Sequence, residues 1–276
     1  MPQIINTNLV SLNAQRNLNT SQASLATSMQ RLSTGLRVNS AKDDAAGLAI
    51  AERMNTQVRG MNVAIRNSND AISLAQTAEG AIGKVGDMLQ RMRELAVQSA
   101  NATNGTSDRL SLDQEFQALA DEIDRTLSTT KFNGLAILAG AAGTQGFQVG
   151  ANFGEVISVT TTNLSTNASV VAVTTASSAI SSVASASAAL TSIDNALDLV
   201  NSQRALYGAT QSRFESVIST LQISVENQAA ARSRIMDADF AAETANLSRA
   251  QILQQAGNAM VAQANQLPNQ VLALLQ

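Results

Sequence analysis

Residues 183–235 read "VASASAALTSIDNALDLVNSQRALYGATQSRFESVISTLQISVENQAAARSRI". Val183, Ala186, Leu190, Ile193, Leu197, Val200, Arg204, Tyr207, Gln211, Phe214, Ile218, Leu221, Val225, Gln228, Arg232 and Ile235 step 3-4-3-4 without a miss. That alternation places one stripe along a single helix and is the repeat of helices packed side by side. At 1.5 Å per residue the helix runs roughly 80 Å. A helix that long needs partners of similar length.

Working towards the N-terminus, two more stretches supply them. Val58, Met61, Ile65, Ser68, Ile72 and Ala75 step by 3 and 4, and Ala78, Ile82, Val85, Leu89, Met92 and Ala96 do so again after a phase slip of three. The slip is a stammer in the seam. Asn104 and Gly105 end that helix, and Ser107 caps a shorter one carrying Leu112, Phe116, Leu119, Ile123 and Leu127. Between about 129 and 173, "KFNGLAILAG", "GFQVGANFGEVISVTTTNLST" and "SVVAVTT" mix β-branched residues with Gly turns and predict short strands and hairpins. Residues 174–189 are uncharged Ser/Ala/Thr low complexity, either loop or the exposed start of the long helix.

The chain ends behave differently. Residues 1–36 predict a helix with a stripe of Ala14, Leu18, Leu25, Met29, Leu32 and Leu36 among Asn, Gln, Ser and Thr. The C-terminus reads "AMVAQANQLPNQVLALLQ", where Leu253, Met260, Leu267 and Leu274 fall seven apart and no charge follows Arg249. Two such helices can lie antiparallel and cover each other along one line only. No third body in the chain covers the remainder, so both ends are expected to be loose in a free subunit and ordered when neighbouring copies pack on them.

Composition narrows the function. The 276 residues hold no Cys and no His, which removes thiol nucleophiles, disulfides, imidazole bases and most transition-metal sites. Aromatics are 3%, so Ala, Leu, Val and Ile fill a core of closely packed helices. The only prolines are Pro2 and Pro268, which permits very long helices between them. Net charge is −3, divided as +4 over 1–42, −8 over 43–243 and +1 over 244–276, so the two ends differ from the middle in the same sense. The opening "MPQIINTNLVSLNAQRNL" lacks the basic and apolar regions of a signal peptide, and no run of eighteen apolar residues is present. Basic residues are neither clustered nor interleaved with aromatics, which disfavours nucleic-acid binding.

The fold expected is mainly α: a long-helix bundle or coiled coil with paired N- and C-terminal helices and small β-hairpins in the middle. The expected domains are 1–40 with 236–276, an inner terminal coiled coil, and 41–235, long helices carrying the β insert at about 129–173. "NSAKDDAAGLAIAERM" contains Asp43 and Asp44, two carboxylates at a predicted helix start, where capping is favoured over acid/base work. "RSRIMDADFAAE" clusters Arg232, Arg234, Asp237, Asp239 and Glu243, read as ion pairs at a helix joint rather than as a metal site. The C-terminal ridge lacks the Lys and Arg of an interfacial membrane helix, so packing against like helices is the expectation.

At these residues the chain closely resembles bacterial flagellin. The resemblance is carried by "INTNLVSLNAQRNL", "RLSTGLRVNSAKDDAAGLAIAERM", "IRNSNDAISLAQTAEGAI", "LQRMRELAVQSAN", "GATQSRFES", "ARSRIMDADFAAE" and "ILQQAGNAMVAQANQLPNQVLALL". It is weakest around 140–180, where the large outer domains of enteric flagellins have no counterpart. The resemblance implies a structural subunit, without catalysis or cofactor, that polymerises helically into an extracellular flagellar filament for motility. It implies type III export without a cleaved leader, contacts with hook-associated and cap proteins, and an export chaperone on the C-terminal region. The seam carrying assembly would include Leu18, Leu25, Leu32, Leu253, Met260, Leu267 and Leu274.

The resemblance also places the patch read by Toll-like receptor 5 of vertebrate hosts at Arg91, Leu95 and, on the following helix, Glu115. Two other readings stand beside it. Arg91, Arg93 and Glu94 suit a solvated face above core residues Leu89, Met92 and Ala96. For the protein's own purpose an axial subunit contact is favoured, because Leu95 falls outside the 3-4 seam and is expected to be exposed. Alternatives for the whole chain are a hook–filament junction protein, with similar ends, and a secreted adhesin or translocator, which would need a binding domain in the middle.

Overall fold

The computed structural model describes residues 7–141, 143–175 and 178–273, with backbone course only for 267–273. Six helices and four short strands follow in the order α1 (Leu9–Thr34), α2 (Ala45–Ala100), α3 (Thr106–Thr129), β1 (Lys131–Phe132), β2 (Leu135–Ala136), β3 (Thr144–Gln148), β4 (Val156–Thr160), α4 (Ala168–Thr174), α5 (Val183–Met236) and α6 (Phe240–Ala273). Two very long helices lie within the proline-free stretch: α2 has 56 residues and α5 has 54. The fold is thus mainly α with two small antiparallel hairpins. Two compact units emerge, one of residues 57–225 and one of residues 1–56 with 226–276.

In the 57–225 unit, α2 and α5 run antiparallel. Gln211 Nε2 donates to Glu79 at 2.8 Å, Val200 lies against Gly86, and Arg93 pairs with Asp194 at 2.8 Å. The shorter α3 folds back on α2, where Arg109 Nε donates to the Ser99 carbonyl at 2.9 Å. Between them lies one apolar core that includes Ile82, Leu89, Met92, Phe116, Ile123, Leu127, Tyr207 and Phe214. Here α2 meets helices on two sides, so its buried face is wider than a two-residue seam. Leu74 and Ala75 are both buried, as are Leu95 and Ala96. Leu95 is 1% exposed. The expectation of an exposed Leu95 fails for that reason: off the seam towards one helix, it is on the seam towards the other.

The hairpins close one side of this core. Asn133 and Gly134 take positive φ, 48° and 82°, and turn β1 into β2. The β3–β4 hairpin sits on α2, where Asn67 Nδ2 donates to the Gln148 carbonyl at 3.0 Å. A Cβ on Gly60 would stand 2.8 Å from the Ala151 Cβ, so the helix carries glycine where the hairpin loop touches it. Phe147 meets Phe214 edge-on with ring centres 5.9 Å apart. "SVVAVTT" is helix rather than the predicted strand. Asn167 caps it by accepting the Ser169 N–H, and Val170 and Val173, three apart, enter the core together. Ser107 also does not cap α3; Asp108 accepts the Gly105 N–H at 3.0 Å one turn earlier.

In the unit of 1–56 with 226–276, α1 and α6 pair along their length, and a small cluster of Val38, Ala51 and Met236 holds the joint. Gly35 ends α1 in the left-handed region at φ 71°, and Leu36 bridges to Asp237. Asp43 accepts the backbone N–H groups of Asn39 and Ser40, which hold its carboxyl below the usual range. Asp44 accepts the Gly47 N–H at 2.8 Å at the start of α2. Both carboxylates therefore serve backbone donors.

Candidate assembly surface

The contact between α1 and α6 is built from small and polar residues. On α1 the inward positions are Ser11, Ala14, Leu18, Ser21, Leu25, Ser28 and Leu32, spaced 3-4-3-4. On α6 they are Glu243, Leu247, Ala250, Gln254, Gly257, Val261 and Ala264, with the same spacing. The helices run antiparallel and approach closely; a Cβ on Gly257 would lie 3.0 Å from the Leu18 Cδ1. Polar pairs punctuate the line. Asn8 Nδ2 donates to the Ala264 carbonyl at 2.7 Å, and Ser11 Oγ donates to Asn265 Oδ1 at 2.7 Å. Ser28 Oγ donates to Glu243 at 2.5 Å, and the Arg31 guanidinium lies 3.6 Å from the same carboxylate, which is 8% exposed. An acid can sit there because both a hydroxyl and a cation face it.

The large apolar side chains of this pair mostly point away from the seam. Leu9, Val10, Leu12, Met29, Ile252, Leu253 and Met260 are exposed. Leu9, Val10, Leu18, Leu253, Gly257 and Met260 line an open groove of about 620 Å³. Leu18, Leu25 and Leu32 are half-buried against α6, whereas Leu253 and Met260 face outward. The seven-residue spacing thus marks a real stripe on α6, but a different face meets α1. Met29, read from the sequence as part of the α1 stripe, is also outward. The side chain of Leu267 and all of Leu274 lie outside the described residues.

A second surface lies on the 57–225 unit. Arg91 reaches Glu94 at 2.9 Å and Glu115 at 2.8 Å, and these bonds raise the guanidinium above its ordinary value. Arg91 and Glu115 are about half exposed and Glu94 more so, so the Arg91–Glu115 pair links α2 to α3 while remaining open to solvent. Leu95 lies beneath this patch in the core and contributes nothing to its face. Sequence reasoning missed Phe153, which stands fully exposed at the β3–β4 turn. Glu155 accepts from the Asn152 N–H and side chain, and Gly154 takes φ 89°, so the turn presenting the ring is well braced. A phenylalanine beside Gly in a turn was the available signal.

The joint departs from its predicted chemistry. Asp239 accepts the Ala241 and Ala242 N–H groups and caps α6, Asp237 accepts from Ser233, and Glu243 pairs across to Arg31. Each acid finds a partner outside the Arg232–Arg234 pair: Asp239 meets backbone donors, Asp237 a hydroxyl on the last turn of α5, and Glu243 the side chains of α1. Among the described residues there is no group of three potential metal ligands, and no helix is long and apolar enough to cross a membrane.

The family model for the bacterial flagellin N-terminal helical region matches residues 5–143, and that for the C-terminal helical region matches 190–275. A flagellin of Halalkalibacterium halodurans is 47% identical over 99% of this chain and 100% of its own length. The chain belongs to the bacterial flagellin family. A flagellin of Xenorhabdus nematophila is 42% identical over the whole of both chains. A crystal structure of Bacillus cereus flagellin superposes with a TM-score of 0.51 at 31% identity, covering 56% of this chain and 88% of that one. This flagellin is accordingly a structural subunit of the bacterial flagellar filament, and full-length agreement with flagellins does not favour the junction-protein and adhesin readings.

Proposed function

We propose that the α1/α6 pair is the assembly module of this flagellin, and that sister subunits cover its outward apolar residues. The observation that carries the reading is the apolar surface the pair leaves uncovered: Leu18, Leu25, Leu32, Leu247 and Val261 share the inward line with Ser, Ala and Gly, while Leu9, Val10, Leu12, Ile252, Leu253 and Met260 face out. Apolar surface removed from water returns roughly 25 cal/mol per Å², so the favourable burial lies between subunits rather than within one. Contacts repeated head to tail without closing on rotation generate an open helical polymer. The inner module comprises residues 1–40 and 236–276, and its stripe includes Leu267 and Leu274. Full-length chain should form filaments under the electron microscope, and chain lacking 1–40 and 240–276 should form none. Filaments from the shortened chain would refute this placement.

The Arg91–Glu115 patch is proposed as an axial contact between subunits of the filament. Its support is an ion-paired surface bridging two helices, where a neighbour can read a fixed geometry. The same charged pair is the part of the chain offered to Toll-like receptor 5, with Leu95 acting only by holding α2 in place. Leaderless type III export to the extracellular filament, capture of the C-terminal region by an export chaperone, and end contacts with hook-associated and cap proteins complete the proposal. They draw on family membership and on the exposed apolar stripe of α6.

A further inference from the structure

Asn8 makes two bonds at once. Its Oδ1 accepts the Ser11 N–H at 3.0 Å and caps α1, while its Nδ2 donates to the Ala264 carbonyl at 2.7 Å. Ala264 is 3% exposed. In a regular α-helix the donor to that carbonyl is the N–H four residues on. Residue 268 is proline and has no N–H, yet α6 continues to Ala273. The acceptor that Pro268 leaves empty is thus the one Asn8 fills from the far end of the chain.

The apolar contacts of the seam do not by themselves set the register. Sliding α1 by seven residues places Ser21 where Ser28 was, Leu18 where Leu25 was and Leu25 where Leu32 was. On α6 the same slide exchanges Ala250, Gly257 and Ala264, all small. Polar groups with a single partner remove this degeneracy, as one buried Asn does in coiled coils. A seven-residue slide towards the start of α6 brings Asn8 to Gly257, whose carbonyl already has its helical donor in Val261, so the position opposite Pro268 is an acceptor that the interior of the helix does not otherwise offer.

We propose that Asn8 and Pro268 together form a register lock: the proline vacates one backbone acceptor, and Asn8 recognises it, fixing how the two chain ends align. The assay for it rests on the reading that this pair is ordered in the filament. Critical concentration for elongation from filament seeds is measured for Asn8→Asp, Pro268→Ala and the double variant, all full length. Asp caps a helix as well as Asn but cannot donate to a carbonyl. Asn8→Asp should raise the critical concentration about tenfold, the effect of leaving one buried acceptor unpaired. Pro268→Ala restores the helix's own donor and should elongate within about twofold of the parent. In that background Asn8→Asp should cost about twofold or less. Asn8→Ser, which caps but is too short to reach, should follow the same pattern. Equal effects of Asn8→Asp in both backgrounds, no effect in the parent, or loss of growth from Pro268→Ala alone would each overturn the lock. Filaments from the chain lacking both ends would instead remove the proposed function, so the two failures are told apart.

Discussion

The two units of this flagellin solve the packing problem in opposite ways. The 57–225 unit buries Phe116, Ile123, Leu127, Tyr207 and Phe214 against α2 and leaves charges outside. The terminal unit buries Ser28, Ala250, Ala264 and Glu243 between α1 and α6, half-buries Leu18, Leu25 and Leu32 beside them, and leaves Leu9, Val10, Leu12, Leu253 and Met260 outside. The first arrangement is that of a folded domain and is complete within one chain. The second resembles half of an interface, since its oily surface is arranged for something beyond it. In the proposed assembly, the ends gain from neighbours the apolar burial that the middle already has.

The sharpest way to break this contrast is a pair of truncations. Phe116→Ala should lower the unfolding free energy of the free chain by about 3–5 kcal/mol, read from denaturant melts. Leu25→Ala, half-buried on α1, should leave that transition nearly unmoved and act on filament elongation instead. Equal effects in the free chain would show that the ends are as self-sufficient as the middle.

The success and failure of the sequence reading divide along the same line. In the large unit the side chains that pack are the ones that repeat, so α2, α3 and α5 are visible as periodic Leu, Ile, Val and Phe. Leu95 was misplaced because a single 3-4 seam describes a helix with one neighbour, and α2 has two. In the terminal unit the α1 side was legible, since Ala14, Leu18, Leu25 and Leu32 of its stripe face α6, but Ser11, Ser28, Gly257 and Ala264 complete the contact with no hydrophobic mark, and the visible α6 stripe of Leu253 and Met260 is the outward one. "SVVAVTT" became helix because an Asn cap and two buried valines outweighed β-branching, a tertiary choice that local composition does not carry.

Three further changes sharpen the comparison in descending order. Gly60→Val, with Ala151 in the way, should displace the hairpin and cost about 1–3 kcal/mol in the free chain. Ser28→Ala removes one hydrogen bond to a buried carboxylate and should weaken the terminal pair by about 1 kcal/mol, visible as faster amide exchange in filaments but not in the melt of the free chain. Arg91→Ala should shift the melt by less than about 1 kcal/mol, because its partners are half exposed, while elongation slows. A large loss of stability from Arg91→Ala would make the patch part of the fold rather than a contact.

The smallest effect at neutral pH, and the most localised, concerns Tyr207. Burial raises its phenol above the ordinary value of 10.0. Below that pH both states keep the proton and stability does not depend on it. Above it the unfolded chain releases a proton that the folded chain retains, so stability falls as pH rises towards the folded value. Tyrosinate absorbance should therefore lag behind that of a free phenol and appear with unfolding. Titration at the ordinary value in the folded chain would contradict the burial.

The hydroxyl- and amide-lined seam of α1 and α6 has a thermal consequence. The seam's small and polar residues remove less hydrocarbon from water than a seam filled by leucine throughout, and the heat-capacity change of association follows hydrocarbon area. Within one subunit the grip of the two tails should thus change less steeply with temperature than a purely apolar contact. The leucine and methionine contacts proposed between subunits should strengthen on warming. Chilling would then loosen subunit from subunit before it parts the tails of any one of them.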